Sequence, residues 1–582
     1  WVLSFRNTSD RNSGQVSNVK AADLDVASGK DGTWNLFHAE GSDAKRNDFM
    51  ALTKEYSVGD SLVMVPDLGR SSSKAFPYFN IKSPEGGMVF AIGWSGTWKA
   101  RIARPSKERM NVSTGLKNLD TYLLPGEEIR TPLMAMVPWQ GEDRMDGQNI
   151  LRRFILAHHH PRMNGVPVEA PLCSGIGMGD PSPCSEYSCL TSEYAVALIH
   201  RYQQFGVTPE VFWLDAGWYG KATDWKDGRN WYNTAGDWEP DSTRFPRGLG
   251  EIADAAHETG ARFMLWFEPE RVVRNSPWAY EHPEYMLMAG GGTPVPTPLE
   301  SRSYDSFLVN LGNPEANKWL CEEVARLIRD NKVDYYRQDY NVDPEWFWYS
   351  NDEEGRHGIC EIRYIEGLYR FWDYLLEEFP GLLIDNCASG GRRLDLEATS
   401  RSIPLWRTDY EYGEPVGYQS HTYGLSQWLP VSGTGVMKTD PFTSRSGFSA
   451  GVIYKWSVTS PEYSILDMQK NMAEFNSIRH YFLEDFYPLT GYGDITRDDI
   501  WMAYQLDKPS DGTGRIVAFR RDQCKEDRIV VKLRGLDPDK VYVLESQDTF
   551  ERTEKTGEDL GKGLELRLDN PRSSLYYKYW LR

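Results

Sequence analysis

The chain has 582 residues with 65 basic and 84 acidic side chains, a net charge of −19. This surplus repels nucleic acid and anionic membranes, and no basic block offsets it. No run approaches the roughly 18 apolar residues of a bilayer span, so membrane insertion is not expected. Seven cysteines (173, 184, 189, 321, 360, 387 and 524) are too few for a disulfide framework. Cys184 and Cys189 lie near each other and His158 to His160 lie upstream, but no Cys-x-x-Cys pair supports a tetrahedral metal site. No metal and no cofactor are expected. The chain begins at Trp1 without a basic segment and an apolar run, so the reading is a soluble protein. Its compartment stays open, export to the periplasm or exterior with the signal removed being one setting.

Residues 1 to 160 read as an N-terminal β-sandwich domain, with short apolar runs such as Met88 to Trp94 and Leu133 to Val137 between Gly, Pro and Ser clusters. A helix is expected over Ile150 to His160. From 161 to 484 amphipathic helices alternate with short apolar strands, the rhythm of a parallel sheet with covering helices. Ser192 to Phe205 precedes Val211 to Asp215, and the helix bearing Ile252, Ala255 and Ala256 precedes Arg262 to Glu268. Trp319 to Ile328 precedes Val333 to Asp339, and Leu368 to Leu376 precedes Leu382 to Cys387. A further strand is expected over Ile403 to Asp409. From 485 to 582 alternating strands return, as in Arg515 to Phe519 and Val541 to Leu544, and predict a C-terminal antiparallel β-domain.

A doubly wound sheet binds at one switch point, whereas a barrel collects its site from many strand ends. Asp215, Glu268, Asp339, Cys387 and Asp409 each end a different expected strand. The fold class is therefore α/β, a central (β/α)8 TIM barrel between two β-domains. No Gly-x-Gly-x-x-Gly opens a helix after the first strand, which leaves nucleotide chemistry without support. Two carboxylates at strand ends can cleave a glycosidic bond, one protonating the leaving oxygen and one facing the developing oxocarbenium.

The strand-end segments resemble glycoside hydrolase family 36, the melibiase-type α-galactosidases, from about residue 80 onward. Trp266-Phe267-Glu268-Pro269-Glu270 is similar to the family's third-strand motif, and Asn386-Cys387-Ala388-Ser389-Gly390-Gly391 with Arg393 and Asp395 to its fifth. By this resemblance Asp339 is the nucleophile and Asp409 the general acid/base of a retaining exo-α-glycosidase that removes terminal α-D-galactosyl residues through a covalent glycosyl-aspartate. The resemblance further implies substrate binding by Asp215, Trp218, Trp266, Glu268, Arg337, Cys387, Arg393 and Trp406. The expected partner is an oligosaccharide or glycoconjugate. The sequence leaves open whether the chain forms a homo-oligomer.

The chain departs from the family in three places. Asp215-Ala216-Gly217-Trp218 stands where the family has paired aspartates for the 4- and 6-hydroxyls, Arg337 replaces a lysine, and Arg392 replaces a glycine. A binding site that loses a hydroxyl's partner can change its discrimination greatly. The alternative is therefore α-N-acetylgalactosaminidase or α-galactosaminidase action on the same scaffold. Transglycosylation shares the intermediate, and a sugar-binding protein without turnover is the rival from another class.

Overall fold

The computed structural model describes residues 1–179, 189–220, 231–290 and 306–582. Its centre is a seven-stranded parallel sheet, here β1 (Leu172–Gly175), β2 (Val211–Leu214), β3 (Arg262–Phe267), β4 (Tyr335–Gln338), β5 (Leu383–Asn386), β6 (Gly433–Val436) and β7 (Gly451–Tyr454). The spatial order is β5-β4-β3-β2-β1-β7-β6, a half-barrel in which each neighbouring pair runs parallel. Apart from Arg262, every strand residue is buried, as expected when both faces are covered.

The expected strand Ile403 to Asp409 forms no continuous ladder and pairs through two isolated bridges, a parallel one between Ile403 and Asp385 and an antiparallel one between Thr408 and Gly390. Its backbone still spans the interval between β5 and β6. Ile403 N donates to Ile384 O at 2.8 Å, and Gly433 N donates to Pro404 O at 2.8 Å. β6 and β7 are elements that apolar patterning could not reveal, because they carry Gly433, Gly435 and Gly451. Their glycines answer to packing: a Cβ on Gly435 would meet the Trp406 ring at 2.6 Å. The indole can lie on the sheet only where that position has no side chain.

Before the parallel sheet come a four-stranded and a five-stranded antiparallel sheet, spanning Lys20 to Trp139. Alternation sets their facing surfaces: Trp98, Ala100 and Ile102 are buried while Lys99 and Arg101 are exposed. The strand Gly86–Gly93 packs on both sides, so it reads as a continuous apolar run. Phe90 and Ile92 join the core with Trp34 and Trp98. Val89 and Ala91 face Leu151, Ile155, Leu396 and Trp428.

Helix α1 (Arg144–His158) follows, starting six residues earlier than its apolar pattern suggested. Asp143 and Asp146 form a capping box there, and the polar first turn hides the start from a hydrophobicity reading. From α1, buried Arg152 donates to the carbonyls of Leu429 at 3.1 Å, Phe482 at 2.6 Å and Glu484 at 2.8 Å, and also to Ser426 O. One guanidinium thus ties α1 to the end of the parallel-sheet region and to the strands that follow. Those strands form a six-stranded antiparallel sheet from Asp485 to Leu581 beside a two-stranded one.

Candidate active site

The carboxyl ends of the parallel strands open into a cavity of about 330 Å³. Asp215, Arg337, Asp339 and Asp409 line it with the indoles Trp213, Trp266 and Trp406. Ala216, Trp231, Asn341, Tyr412, Met437, Met178 and Lys455 complete the wall. Of the residues that sequence reasoning singled out, Asp215, Trp266, Arg337, Asp339, Trp406 and Asp409 come together here.

Asp339 follows β4 directly, so the strand's geometry aims its carboxylate across the sheet's end. Oδ1 accepts from Tyr340 N at 2.7 Å and Ser389 N at 3.1 Å, while Oδ2 lies 3.3 Å from Trp266 Nε1. Burial pushes this carboxyl up, but the Arg337 guanidinium, Asn341 and the two amides outweigh it and hold it below the usual value. Asp409 goes the other way. Burial and the Asp339 charge raise it to about 6, against the Trp406 Nε1 donor at 2.8 Å. Two aspartates facing one cavity therefore differ in protonation, the low one ionised while the high one still holds its proton.

The loop after β5 brings the two together. Ser389 N binds Asp339, and the next residue, Gly390 at φ +84, backs onto the Asp409 strand segment. A Cβ on Gly390 would sit 2.8 Å from Asp409 N, so only glycine permits this approach. Cys387 closes the loop from beneath, its Sγ accepting from Gly390 N at 3.2 Å.

Arg337 lies 4.2 Å from the Trp213 ring and pairs with Asp385, whose other oxygen accepts from Leu405 N at 2.9 Å. Burial lowers this guanidinium's pKa, but Asp385, Cys387, Asp215 and Asp339 outweigh it. Asp215 is pushed up by burial, which Arg337 and Lys455 oppose.

Four residues expected at the substrate are instead not among those lining the cavity. Trp218 is buried behind the wall, donating to Trp266 O at 2.9 Å and packing on Tyr219 and Phe267. Glu268 and Arg271 form a fully buried ion pair at 2.5 Å, and Glu268 accepts from Asn341 N at 2.6 Å. One oxygen is thus committed to the loop that carries Asn341 and the other to Arg271. Arg393 is engaged with Glu270 at 2.9 Å and with the rings of Tyr340 and Trp372. Cys387 is 1% exposed, and burial raises its thiol well above the ordinary range.

Sequence reasoning missed Lys455, Tyr412, Asn341 and the methionines. Lys455 follows β7, the glycine-led strand that went unrecognised, and its ammonium lies 4.2 Å from the Trp406 ring. Asn341 was legible only as the second residue after Asp339. Among the described residues no group of three or more His, Cys, Asp or Glu side chains is placed to hold a metal. Cys189 is disulfide-bonded and Cys184 lies outside the described residues. Among the described residues no helix is long and apolar enough to cross a membrane.

A parallel sheet whose strand ends gather carboxylates and indoles round one cavity is an arrangement that can bind a sugar and cleave its glycosidic bond. Residues 186–439 match the Melibiase family model. The α-galactosidase Mel36A of Lactobacillus acidophilus is 26% identical over 495 residues, 79% of this chain and 62% of the relative. The α-galactosidase AgaA of Geobacillus stearothermophilus is 24% identical over 478 residues, again 79% and 62%. A crystal structure of a variant of that AgaA in complex with 1-deoxygalactonojirimycin superposes with a TM-score of 0.83 at 19% identity, covering 100% of this chain and 79% of that one. Over residues 186–439 the chain matches the melibiase family, and along its length it resembles the α-galactosidases of glycoside hydrolase family 36. It spans less than two thirds of the length of these curated relatives.

Proposed function

We propose that the chain is a retaining exo-α-galactosidase. The observation that carries this reading is the pair Asp339 and Asp409, lining one cavity with carboxyls shifted in opposite directions. Asp339, ionised, attacks the anomeric carbon while Asp409 gives its proton to the leaving oxygen. Asp409 then takes a proton from the water that releases the covalent glycosyl-aspartate, with net retention. Asp215 accepts from sugar hydroxyls, and the indoles of Trp213, Trp266 and Trp406 wall the ring. Glu268, Cys387 and Arg393 act through the loops they hold.

On this reading the half-barrel is a complete (β/α)8 barrel, with the 403–407 backbone as the missing strand. The hydrogen bonds from this segment to β5 and β6 support it. Modules over 1–160, 161–484 and 485–582 fit the change from antiparallel to parallel to antiparallel pairing. Crystal structures of two AgaA variants hold raffinose and stachyose, which supports an oligosaccharide substrate here. Of the departures that raised the 2-acetamido alternative, Ala216 and Arg337 line the cavity and Arg392 does not, and the relatives compared are α-galactosidases, which favours the galactoside.

Hydrolysis of p-nitrophenyl α-galactoside beside its 2-acetamido counterpart, at matched concentrations, tests the reading. The wild type should prefer the galactoside, and Asp339→Asn should lose at least about a hundredfold in kcat/KM. Preference for the acetamido sugar would overturn the substrate, and full activity in Asp339→Asn would remove the nucleophile.

A further inference from the structure

Lys455 lines the cavity, yet the proposed reaction gives it no task. It follows β7 directly and is 5% exposed. Its ammonium lies 4.2 Å from the centre of the Trp406 ring, 4.8 Å from that of Tyr412 and 6.0 Å from that of Trp213. The Arg337 guanidinium reaches the same Trp213 ring at 4.2 Å, so two cations converge on one indole inside the cavity. Arg337 gives Nη1 to Asp385, and its Nε has no hydrogen-bond partner among the described residues. Asp215 is the carboxylate these cations meet: burial raises it, and Arg337 and Lys455 oppose that rise. The residue after it, Ala216, brings only a methyl group to the wall.

These groups sit away from the bond that breaks. Asp339 follows β4 and Asp409 follows the segment between β5 and β6, and the anomeric carbon must lie between the two carboxyls. Lys455 and Asp215 follow β7 and β2, the strands on either side of β1 in the spatial order. Arg337 stands two residues before Asp339, one layer deeper on the same face of the strand. A sugar with its anomeric carbon at the catalytic pair therefore turns C4 to C6 toward Lys455 and Arg337. We propose that Lys455 is the specificity-determining residue for an anionic group at C6 of the glycon, a carboxylate or a sulfate ester, so that the favoured substrate is an α-galactoside charged at that carbon. A hydroxymethyl group offers a buried ammonium one neutral acceptor, whereas an anion makes charge-assisted hydrogen bonds where the local dielectric is low. Asp215 is left for the uncharged hydroxyls. This inference rests on the assignment of Asp339 and Asp409, which fixes the direction of the sugar.

The test measures equilibrium binding of galactose, galacturonate and galactose 6-sulfate at neutral pH by calorimetry, none of which has a glycosidic bond to lose. The wild type should bind galacturonate or the 6-sulfate at least about tenfold more tightly than galactose, the tighter of the two naming the anion. Lys455→Met should lower that affinity ratio at least about tenfold, and Lys455→Arg, which keeps the charge, should leave the anionic sugar the tighter ligand. Galactose bound as tightly as both anionic sugars by the wild type overturns the inference. So does a ratio unchanged in Lys455→Met, or one lost equally in both variants. Hydrolysis of p-nitrophenyl α-galactoside by the wild type checks the catalytic reading separately. Absence of that turnover with the ratio as expected would reject the hydrolysis and leave the C6 site standing, and turnover without the ratio would do the reverse.

Discussion

Asp339 and Asp409 show how one residue type acquires two protonation states within a single cavity. Asp339 gains two backbone amides, an indole and a neighbouring guanidinium, so its low value follows from contacts that reward the anion. Asp409 has one indole donor and the Asp339 charge beside it, and rises to about 6. Activity requires the first ionised and the second protonated, so kcat/KM should fall as pH rises through about 6. The acid limb should lie below the ordinary carboxylate value. Tyr412 and Arg337 also act on Asp409; burial raises the Tyr412 phenol and, against burial, the surrounding carboxylates raise Arg337, so neither changes charge in this window. A pH profile of the aryl galactoside checks this, with Asp409→Ala measured beside it. The variant should keep activity on a good leaving group while losing the limb near 6, and a limb retained in Asp409→Ala would assign it to another group.

Elements were legible where one periodicity dominated. The helix Ser192–Gln204 and strands β2 to β5 fall close to their expected bounds because their apolar residues recur at helical spacing or run unbroken, whereas the helix Pro314–Asp330 starts five residues before the expected Trp319, behind its Asn313 cap. β6 and β7 escaped because close packing there favours glycine over apolar side chains, whereas the 403–409 segment was expected as a strand and pairs only through isolated bridges. Lys455 stayed hidden with β7. Trp218, Glu268, Cys387 and Arg393 were found as motif residues, but a motif does not separate a wall from the frame behind it; only burial and committed partners do. Asp395 illustrates such a frame. It caps the helix Leu396–Arg401, accepting from Glu397 N at 3.0 Å and Ala398 N at 3.2 Å. Its other oxygen takes Ser71 Oγ at 2.8 Å and Ser95 Oγ at 2.9 Å from the preceding antiparallel region. Asp395→Ala strands buried donors on both elements and should cost about 2–4 kcal/mol. Urea unfolding measures it, and a loss below about 0.5 kcal/mol would show that the cap is dispensable.

Across the whole molecule the charge of −19 makes the high-pH side the weaker one, since ionising more carboxylates adds repulsion. Three buried groups add to this. Glu361 and Asp507 are pushed by burial to about 7, and Asp409 to about 6. Each keeps its proton in the folded chain at pH values where the unfolded chain has released it. Folding then binds the extra proton, so stability falls as pH climbs from about 4 to about 7 and levels off above. Carboxylates held low, such as Glu127 and Asp143, act in reverse: their contribution is present above the unfolded pKa and is lost as pH drops through the folded one. The two sets place the maximum of thermal stability between about pH 4 and 6. Asp507 is the cleanest handle, being 1% exposed and far along the chain from the candidate catalytic pair. Its Oδ1 accepts from Tyr579 and its Oδ2 has no hydrogen-bond partner among the described residues, while the charges of Asp485, Glu484 and Asp511 all raise it. Asn at this position keeps an acceptor for the phenol and cannot ionise. Asp507→Asn should therefore raise Tm by several degrees at pH 8 and leave it nearly unchanged at pH 4, as read by scanning calorimetry. A variant destabilised equally at both pH values would show that the carboxyl's hydrogen bond to Tyr579, and not its suppressed ionisation, governs this part of the fold.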